Sequence, residues 1–548
     1  MNHDTAISRP TGDSTQSTRS TLRQHFDVAV IGYGPVGATL AGLLGRAGLT
    51  VGVFDKAGAI YPQPRAVGFD HDAMRLFQRM GAASALAPHI ADFRDSCYYG
   101  ADGQLIRKVA RLPPPFPLHW APNYTCDQPG VEAVLRATVD AMPAVDVHLD
   151  SCLTGLHDDG QGVRFAVREE PAQSTQHYSA AYLVGCDGAS STVRRSIRAE
   201  LASMAYDEPW IVVDLHVDPA YLDQLPQTNV QYCEPQRPST YIVCPGNHRR
   251  WEFMVLDGEP REGELSEQRL WALLQRWVDP AHARIWRAAA YRFHALVARQ
   301  WDSGRVFLAG DSAHQTPPFL GQGMCQGLRD AGNLAWKLAM VVQGRANTRL
   351  LQTYTEERRP HVQATTLLAK EIGYLLSERD PLRARARDAR LLAEGGGSAR
   401  TLIRQEMIPG ITHGLIAADA PLAGVTLPQP RVRNADGRNC LLDDLHEPVF
   451  QILASRRADI PGLRELAQAA GVALVVVCNG SGAAGDDPPE SVSDLDGLLL
   501  PWFEAHGVQG VLARPDHYVY GGFTDLAGAR SLLHMLENTR VRCTPALA

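Results

Sequence analysis

Gly32, Gly34 and Gly37 stand between a short apolar run, Phe26 to Ile31, and the helically spaced stretch ATLAGLLGRAG. Glycines at this spacing suit a diphosphate. Gly32 permits a tight turn, Gly34 lets the backbone approach the anion, and Gly37 lets helix and strand pack closely. The ligand would lie against the first amides of the helix, where peptide dipoles favour negative charge. Asp55 closes the next apolar run, Leu49 to Phe54, where a carboxylate can accept ribose hydroxyls or face solvent at a strand end. The unit predicts dinucleotide binding. It leaves the choice of dinucleotide open, because a nicotinamide dehydrogenase would carry it too.

Two later segments bear on that choice. DGASSTVR (187–194) puts Asp187, Gly188, Ser191 and Arg194 at a turn and helix start, and GDSAHQTPPFLGQGMCQGLRDAGNLAWKL (310–338) begins at the end of the apolar run GRVFLAGD. Asp311 offers a carboxylate to ligand hydroxyls, while Gly321 and Gly323 allow backbone contact with a second phosphate or a ribityl chain. His314 has the chemistry of a base but reads as a structural member of this motif.

These residues need a frame. FDVAVI, the run 49–54, AYLVGCD (181–187) and GRVFLAGD (304–311) are predicted strands of one parallel sheet, so the nucleotide domain is discontinuous. Between them IVVDLHV (211–217), NVQYCEP (229–235), STYIVCP (239–245) and RWEFMVL (250–256) predict a mixed or antiparallel sheet that forms one wall of a pocket. Period-two spacing puts Arg250 and Glu252 on one face, Trp251 and Phe253 on the other. Helical spacing follows over Leu328–Val342 and Leu350–Leu376, where Pro360 interrupts it. The segment 377–424 predicts a charged helix and a mobile loop, and a small α/β domain follows from about Pro428, with a surface loop at 480–490.

A chain of 548 residues, 45% of them hydrophobic, can bury a large core and divide into two or three domains. Its net charge of -7 includes no basic block, so neither nucleic acid nor an anionic membrane is an expected partner. No run is long and apolar enough to span a bilayer, and residues 1–24 predict a disordered, polar leader without a secretory core. The cytoplasm is the expected compartment. The 10 cysteines never form CxxC, which predicts free thiols and no metal site.

VAVIGYGPVGATLAGLLGRAG, DGASSTVR and the long 310–338 segment together resemble the FAD fingerprints of class A, single-component flavoprotein aromatic hydroxylases, the para-hydroxybenzoate hydroxylase fold. PRAVGFDHDAMRLFQRMG (64–81), CEPQRP (233–238), RRWEFMVLDGE (249–259) and ARPDHYVYGG (513–522) are similar to the subgroup that hydroxylates 3-(3-hydroxyphenyl)propionate. The resemblance implies an α/β fold: a Rossmann-like FAD-binding domain (25–200 and 301–424), an inserted mixed β-sheet substrate domain (201–300) and a C-terminal thioredoxin-like domain (425–548) that lacks CxxC.

It also implies roles. Gly32, Gly34, Gly37 and Asp55 would hold the ADP part of FAD, Arg65 and Gln128 would lie near its phosphates and flavin, and Asp311 would meet the pyrophosphate and ribityl chain. Gly321, Gly323 and Met324 would line the isoalloxazine, and Asp187 and Arg194 would serve FAD and nicotinamide. On residue type alone, Arg65 also reads as a surface cation, Gln128 as a helix cap and Arg194 as a salt-bridge partner.

The implied reaction takes hydride from NADH or NADPH and oxygen from O2, passing through a flavin C4a-hydroperoxide to a phenolic ring. Tyr232 and Tyr241 are candidates to hydrogen-bond the phenol, and Arg237 and Arg250 to pair with a substrate carboxylate. Where relatives carry a candidate base before a glycine, this chain has Val67 before Gly68, with carboxylates only at Asp70 and Asp72. Other phenols, a polyketide-like polycyclic aromatic and a flavin-binding redox sensor or scaffold remain alternative readings. A homodimer is the family-based expectation.

Overall fold

The computed structural model describes residues 23–259, 265–478 and 488–539. Apart from its last two residues, the expected leader lies outside these, as does most of the expected loop at 480–490.

Runs of apolar residues with no polar alternation make strands buried on both faces. His25–Ile31, Val51–Phe54, Val145–His148, Ser174–Gly185 and Val306–Leu308 pair in parallel in the first sheet. Ser174–Gly185 is long enough to carry an antiparallel extension, Val163–Glu169 and then Ser151–Asp158. Pro35, in the first turn, opens the helix Pro35–Arg46, whose buried Gly37, Ala38, Ala41 and Gly42 allow close packing on the sheet and on the helix Gly323–Val342.

The second sheet draws on more of the chain than 201–300. Its order is His314–Gln315, Ala283–Ala298, Leu201–Val217, His248–Met254, Ser239–Val243, Asn229–Tyr232, Ser96–Tyr99, Leu105–Ala110 and Arg400–Ile403. The strands from 96–110 and 400–403 join through parallel pairings with Asn229–Tyr232 and Leu105–Ala110. One face buries Val213, Tyr232, Tyr241, Trp251 and Phe253 with the helix Glu267–Leu274. The other face is left for a cavity.

The helix Arg349–Leu376 runs through Pro360 without ending there. After it come the helix Pro381–Glu394 and, where a loop was expected, the short strand Arg400–Ile403 and a turn of helix at Arg404–Met407. The C-terminal unit holds a seven-stranded sheet. Gln451–Ser455 and Ala473–Cys478 are parallel across the helix Ile460–Ala470, and Gly510–Ala513 and Val519–Phe523 add antiparallel strands before the helix Leu526–Asn538. This unit shares an apolar cluster with Trp336, Met340 and Leu350 of the first domain. No described helix is long and apolar enough to cross a membrane.

Candidate active site

The glycine turn is built as its residue types require. Gly32 has φ +103°, and a Cβ there would stand 2.4 Å from the Cys186 carbonyl oxygen. A Cβ at Gly37 would stand 2.0 Å from the Gly32 carbonyl oxygen. Gly34 differs: a Cβ would meet nothing within 4 Å, and the residue lines a cavity of about 650 Å³. Asp55 accepts the Tyr33 amide at 2.6 Å and so ties the turn to the next strand.

Arg65, Gln128, Asp311, Gly321, Gly323 and Met324 line the same cavity. The Gln128 side chain accepts the Arg65 and Ala66 amides at 2.9 and 2.7 Å, holding that loop against the cavity rather than capping its own helix. Asp311 makes no hydrogen bond or ion pair among the described residues; its side chain is exposed at the cavity, whose surrounding protein raises its carboxyl pKa by desolvation. Asp187 and Arg194 stand behind the wall. Asp187 accepts the Thr192 amide at 2.6 Å, while Arg194 donates to the Ala189 and Ser312 carbonyls, so the pair fixes the Gly188–Ala189 loop that lines the cavity. His314 is fully buried against Asp330 at 2.7 Å and stacks on Trp301, a strut rather than a base in the cavity.

These features fit FAD. Gly34, Gly188 and Gly323 leave the cavity wall bare, the helices Pro35–Arg46 and Gly323–Val342 begin at it, and an unpaired carboxylate at Asp311 can receive hydroxyls. No group of ligands suited to a metal ion occurs among the described residues.

Away from these residues the cavity has an aromatic and apolar wall, which includes Phe93, Tyr98, Phe293, Phe319, Ile372 and Met407. Strand alternation decides which sheet residues join them. Asn229, Gln231, Thr240, Ile242, Arg250 and Glu252 face the cavity. Tyr232 and Tyr241 point to the opposite face: Tyr232 accepts the Trp277 indole N–H at 3.0 Å, and Tyr241 is packed on Trp251. Arg237 is engaged with Glu259 at 2.6 and 2.8 Å, away from the cavity. Arg250 lines it, but its guanidinium holds Asp214 at 2.7 and 2.9 Å and donates to the Pro64 and Arg65 carbonyls. It braces the Arg65 loop on the sheet.

Asp70 and Asp72 are also committed, both to Arg329 at 2.6 and 2.7 Å. Burial opposes ionisation of Asp70, but Arg329 outweighs it and the carboxyl sits at about 2. Neither lines the cavity. Glu252 does, and no hydrogen bond occupies its carboxyl among the described residues; Arg250 Nη1 lies 4.0 Å away. Burial outweighs that cation and raises the Glu252 pKa to about 7. Glu132, Glu252, Arg292 and Arg404 are charged residues of the cavity wall that residue spacing did not single out as site residues. Glu252 was legible only as a carboxylate sharing a face with Arg250, and Arg404 sat in the expected loop.

Residues 25–369 match the FAD binding domain family, and residues 424–539 the HcaD C-terminal domain. Over 523 residues, 92% of this chain and 95% of the relative, the chain is 36% identical to a 3-(3-hydroxy-phenyl)propionate/3-hydroxycinnamic acid hydroxylase of Burkholderia cenocepacia (strain HI2424). It is 32% identical over 508 residues, 92% of this chain and 93% of the relative, to a probable NADH-specific resorcinol 4-hydroxylase of Rhodococcus jostii (strain RHA1). Among solved structures, the flavin-dependent monooxygenase PieE with FAD and substrate superposes with a TM-score of 0.78 at 20% identity, covering 94% of this chain and 99% of that one. Aklavinone-11 hydroxylase with FAD and aklavinone gives 0.75 at 22%, covering 95% and 99%. The chain belongs to the FAD-binding flavoprotein aromatic hydroxylases.

Proposed function

We propose that this flavoprotein uses NADH and O2 to hydroxylate a phenolic ring bearing a short carboxylate chain, a 3-(3-hydroxyphenyl)propionate-like substrate. The observation that carries the reading is a single cavity whose cofactor cradle runs into an aromatic chamber, in a chain 36% identical to a hydroxylase of such acids. The name of the Rhodococcus relative supports NADH and supplies a second reading, a phenol without a carboxylate.

When bound, FAD supplies hydride acceptance and O2 activation for oxygen transfer to the ring. In this reading the Gly32–Gly37 turn, Asp55, Arg65 and Asp311 hold it, Gln128, Asp187 and Arg194 position the loops, and Gly321 to Met324 receive its ring. The aromatic wall keeps water out. Burial raises the Tyr98 pKa to about 12, so this residue keeps its proton and can donate to a substrate oxygen. Glu252 can take the phenolic proton at its carboxylate, which raises electron density on the ring.

The test is NADH consumption together with product mass for 3-(3-hydroxyphenyl)propionate and resorcinol, with catalase present. A substrate-stimulated rate and a product one oxygen heavier are expected for the acid. Turnover of resorcinol alone would move the assignment to the second reading, and peroxide as the main product from both would overturn it.

Glu252→Gln is expected to lower product formation about 100-fold or more. The charged groups facing Glu252 are Arg250, Arg287 and Asp214. For the wild type, kcat/KM should rise with pH through about 7 as Glu252 ionises, and the variant should be flat there. Stability should move the other way. A carboxyl raised from 4.5 to about 7 by folding lowers stability as pH rises through that window, so the variant should gain on the wild type above it. A variant that keeps the pH limb would remove Glu252 from the reaction.

We read the C-terminal unit as thioredoxin-like. The parallel pair across a helix, the antiparallel pair beside it and the closing helix support that reading. Cys440 and Cys478, its described cysteines, lie on different strands, which supports a structural role over dithiol exchange. Functionally we divide the chain at 25–200, 201–300, 301–424 and 425–548, with the strands from 96–110 and 400–403 serving the substrate side. The cytoplasmic setting and the homodimer follow the family resemblance, and light scattering tests the latter.

A further inference from the structure

The cavity has four arginines in its wall, Arg65, Arg250, Arg292 and Arg404. Arg250 is neutralised by Asp214, and Arg292 is paired with Asp207 at 2.7 Å. Arg65 belongs to the cofactor end, where its loop is held by Gln128 and its guanidinium lies 5.2 Å from the Tyr61 ring centre. Arg404 is placed differently. It follows the sheet-edge strand Arg400–Ile403, and its guanidinium lies 4.9 Å from the ring centre of Phe93, donating through Nη2 to the Leu320 carbonyl.

No carboxylate pairs with Arg404 among the described residues, and its Nε is buried without a hydrogen-bond partner. Burial lowers its pKa, which marks the cost of holding the charge there. A desolvated cation with a free N–H is stabilised when an anion arrives, and a planar guanidinium suits a carboxylate. Its neighbours set the distance to the chemistry. Leu320 and Gly321 lead directly into Gly323 and Met324, and a Cβ at Gly321 would stand 2.5 Å from Arg404 Nη2. Gly321 therefore makes room for the guanidinium beside the cofactor end of the chamber.

We propose that Arg404 binds the carboxylate of the aromatic substrate and sets the preference for acids over neutral phenols. Phe93 braces the guanidinium from one side, and the side chain lines the chamber. The inference rests on the phenolic-acid reading above. It gives the 400–407 segment, far in sequence from the FAD fingerprints, a place in substrate recognition.

The experiment measures binding of 3-(3-hydroxyphenyl)propionate and its neutral amide to the FAD-loaded wild type and to R404Q and R404K, by perturbation of the flavin spectrum. FAD content and melting temperature report on folding. R404Q should weaken the acid about 10- to 100-fold, the range for a charge-assisted hydrogen bond in a shielded site. The amide should change by less than about threefold, within the scatter of a lost neutral contact. R404K should recover part of the acid's affinity. Equal weakening of acid and amide would mean that Arg404 only shapes the chamber, and unchanged acid binding would place the anchor elsewhere; either overturns the inference alone. A wild type that binds neither probe overturns the phenolic-acid reading and the inference with it.

Discussion

Glu357→Ala is expected to cost about 3–5 kcal/mol of stability at the join between the FAD-binding and C-terminal domains. Glu357 sits in the long helix Arg349–Leu376, wholly buried. Its Oε2 accepts Lys337 Nζ at 2.8 Å, Asn333 Nδ2 at 2.6 Å and Arg514 Nη2 at 2.7 Å, and its Oε1 accepts the Leu415 amide at 2.9 Å. Lys337 and Asn333 come from the helix Gly323–Val342, whose first turn lines the cavity, and Arg514 from the C-terminal sheet region. Removing the anion leaves Lys337 buried and unpaired; Arg514 keeps Asp516 at 2.7 Å. The penalty arises from the stranded charge more than from a lost contact.

Burial opposes the ionised form of Glu357, but Arg514 and Lys337 outweigh it and hold the carboxyl at about 2, against 4.5 in the unfolded chain. The stabilisation is present above 4.5 and lost as pH falls towards about 2. Acid should therefore weaken the wild type more steeply than the variant across that window. Urea midpoints by circular dichroism, taken at neutral pH and in the acid range, measure both effects. A variant within 1 kcal/mol of the wild type, roughly the worth of a surface pair, would show that apolar packing of Trp336 on Phe450 carries the join instead.

What could be read from residue order divides along a physical line. The glycine turn, Asp55 and the strands at 25–31 and 51–54 are local, and their spacing alone encodes a βαβ unit. The alternation of Arg250, Trp251, Glu252 and Phe253 was equally legible, but two faces of a strand are equivalent until something covers one. The helix Glu267–Leu274 covers Trp251 and Phe253, which turns Glu252 into the cavity and takes Tyr232 and Tyr241 out of it. Arginines posed the opposite difficulty. Arg237 and Arg250 have the right chemistry for a carboxylate, yet Glu259 and Asp214 already satisfy them. Partners 22 and 36 positions away are not visible in local spacing. Arg404 reaches the site only because Arg400–Ile403 pairs with Leu105–Ala110, nearly three hundred residues earlier.

Gly34 and Gly37 belong to one motif but differ in what a side chain there would meet. Gly34→Ala should leave the protein folded with an unchanged melting temperature in the absence of FAD, because its methyl group would meet no protein atom within 4 Å. That methyl would nevertheless stand on the bare cavity wall where the diphosphate comes close, and overfilling by about 1–3 kcal/mol weakens FAD binding about 10- to 100-fold. Gly37→Ala should do more. Its Cβ would be placed 2.0 Å from the Gly32 carbonyl oxygen, a backbone atom that cannot rotate away, and 3.4 Å from Cys186 Cβ. Relief requires the helix Pro35–Arg46 to move off the sheet, which withdraws its N-terminal amides from the anion as well. The expected product is a protein that purifies colourless and melts well below the wild type. Flavin absorbance per chain and thermal melting with and without added FAD distinguish the two variants. If both lose FAD without any change in the melting temperature of the FAD-free chain, the close packing at Gly37 is not what the turn requires, and only the approach of the phosphate is.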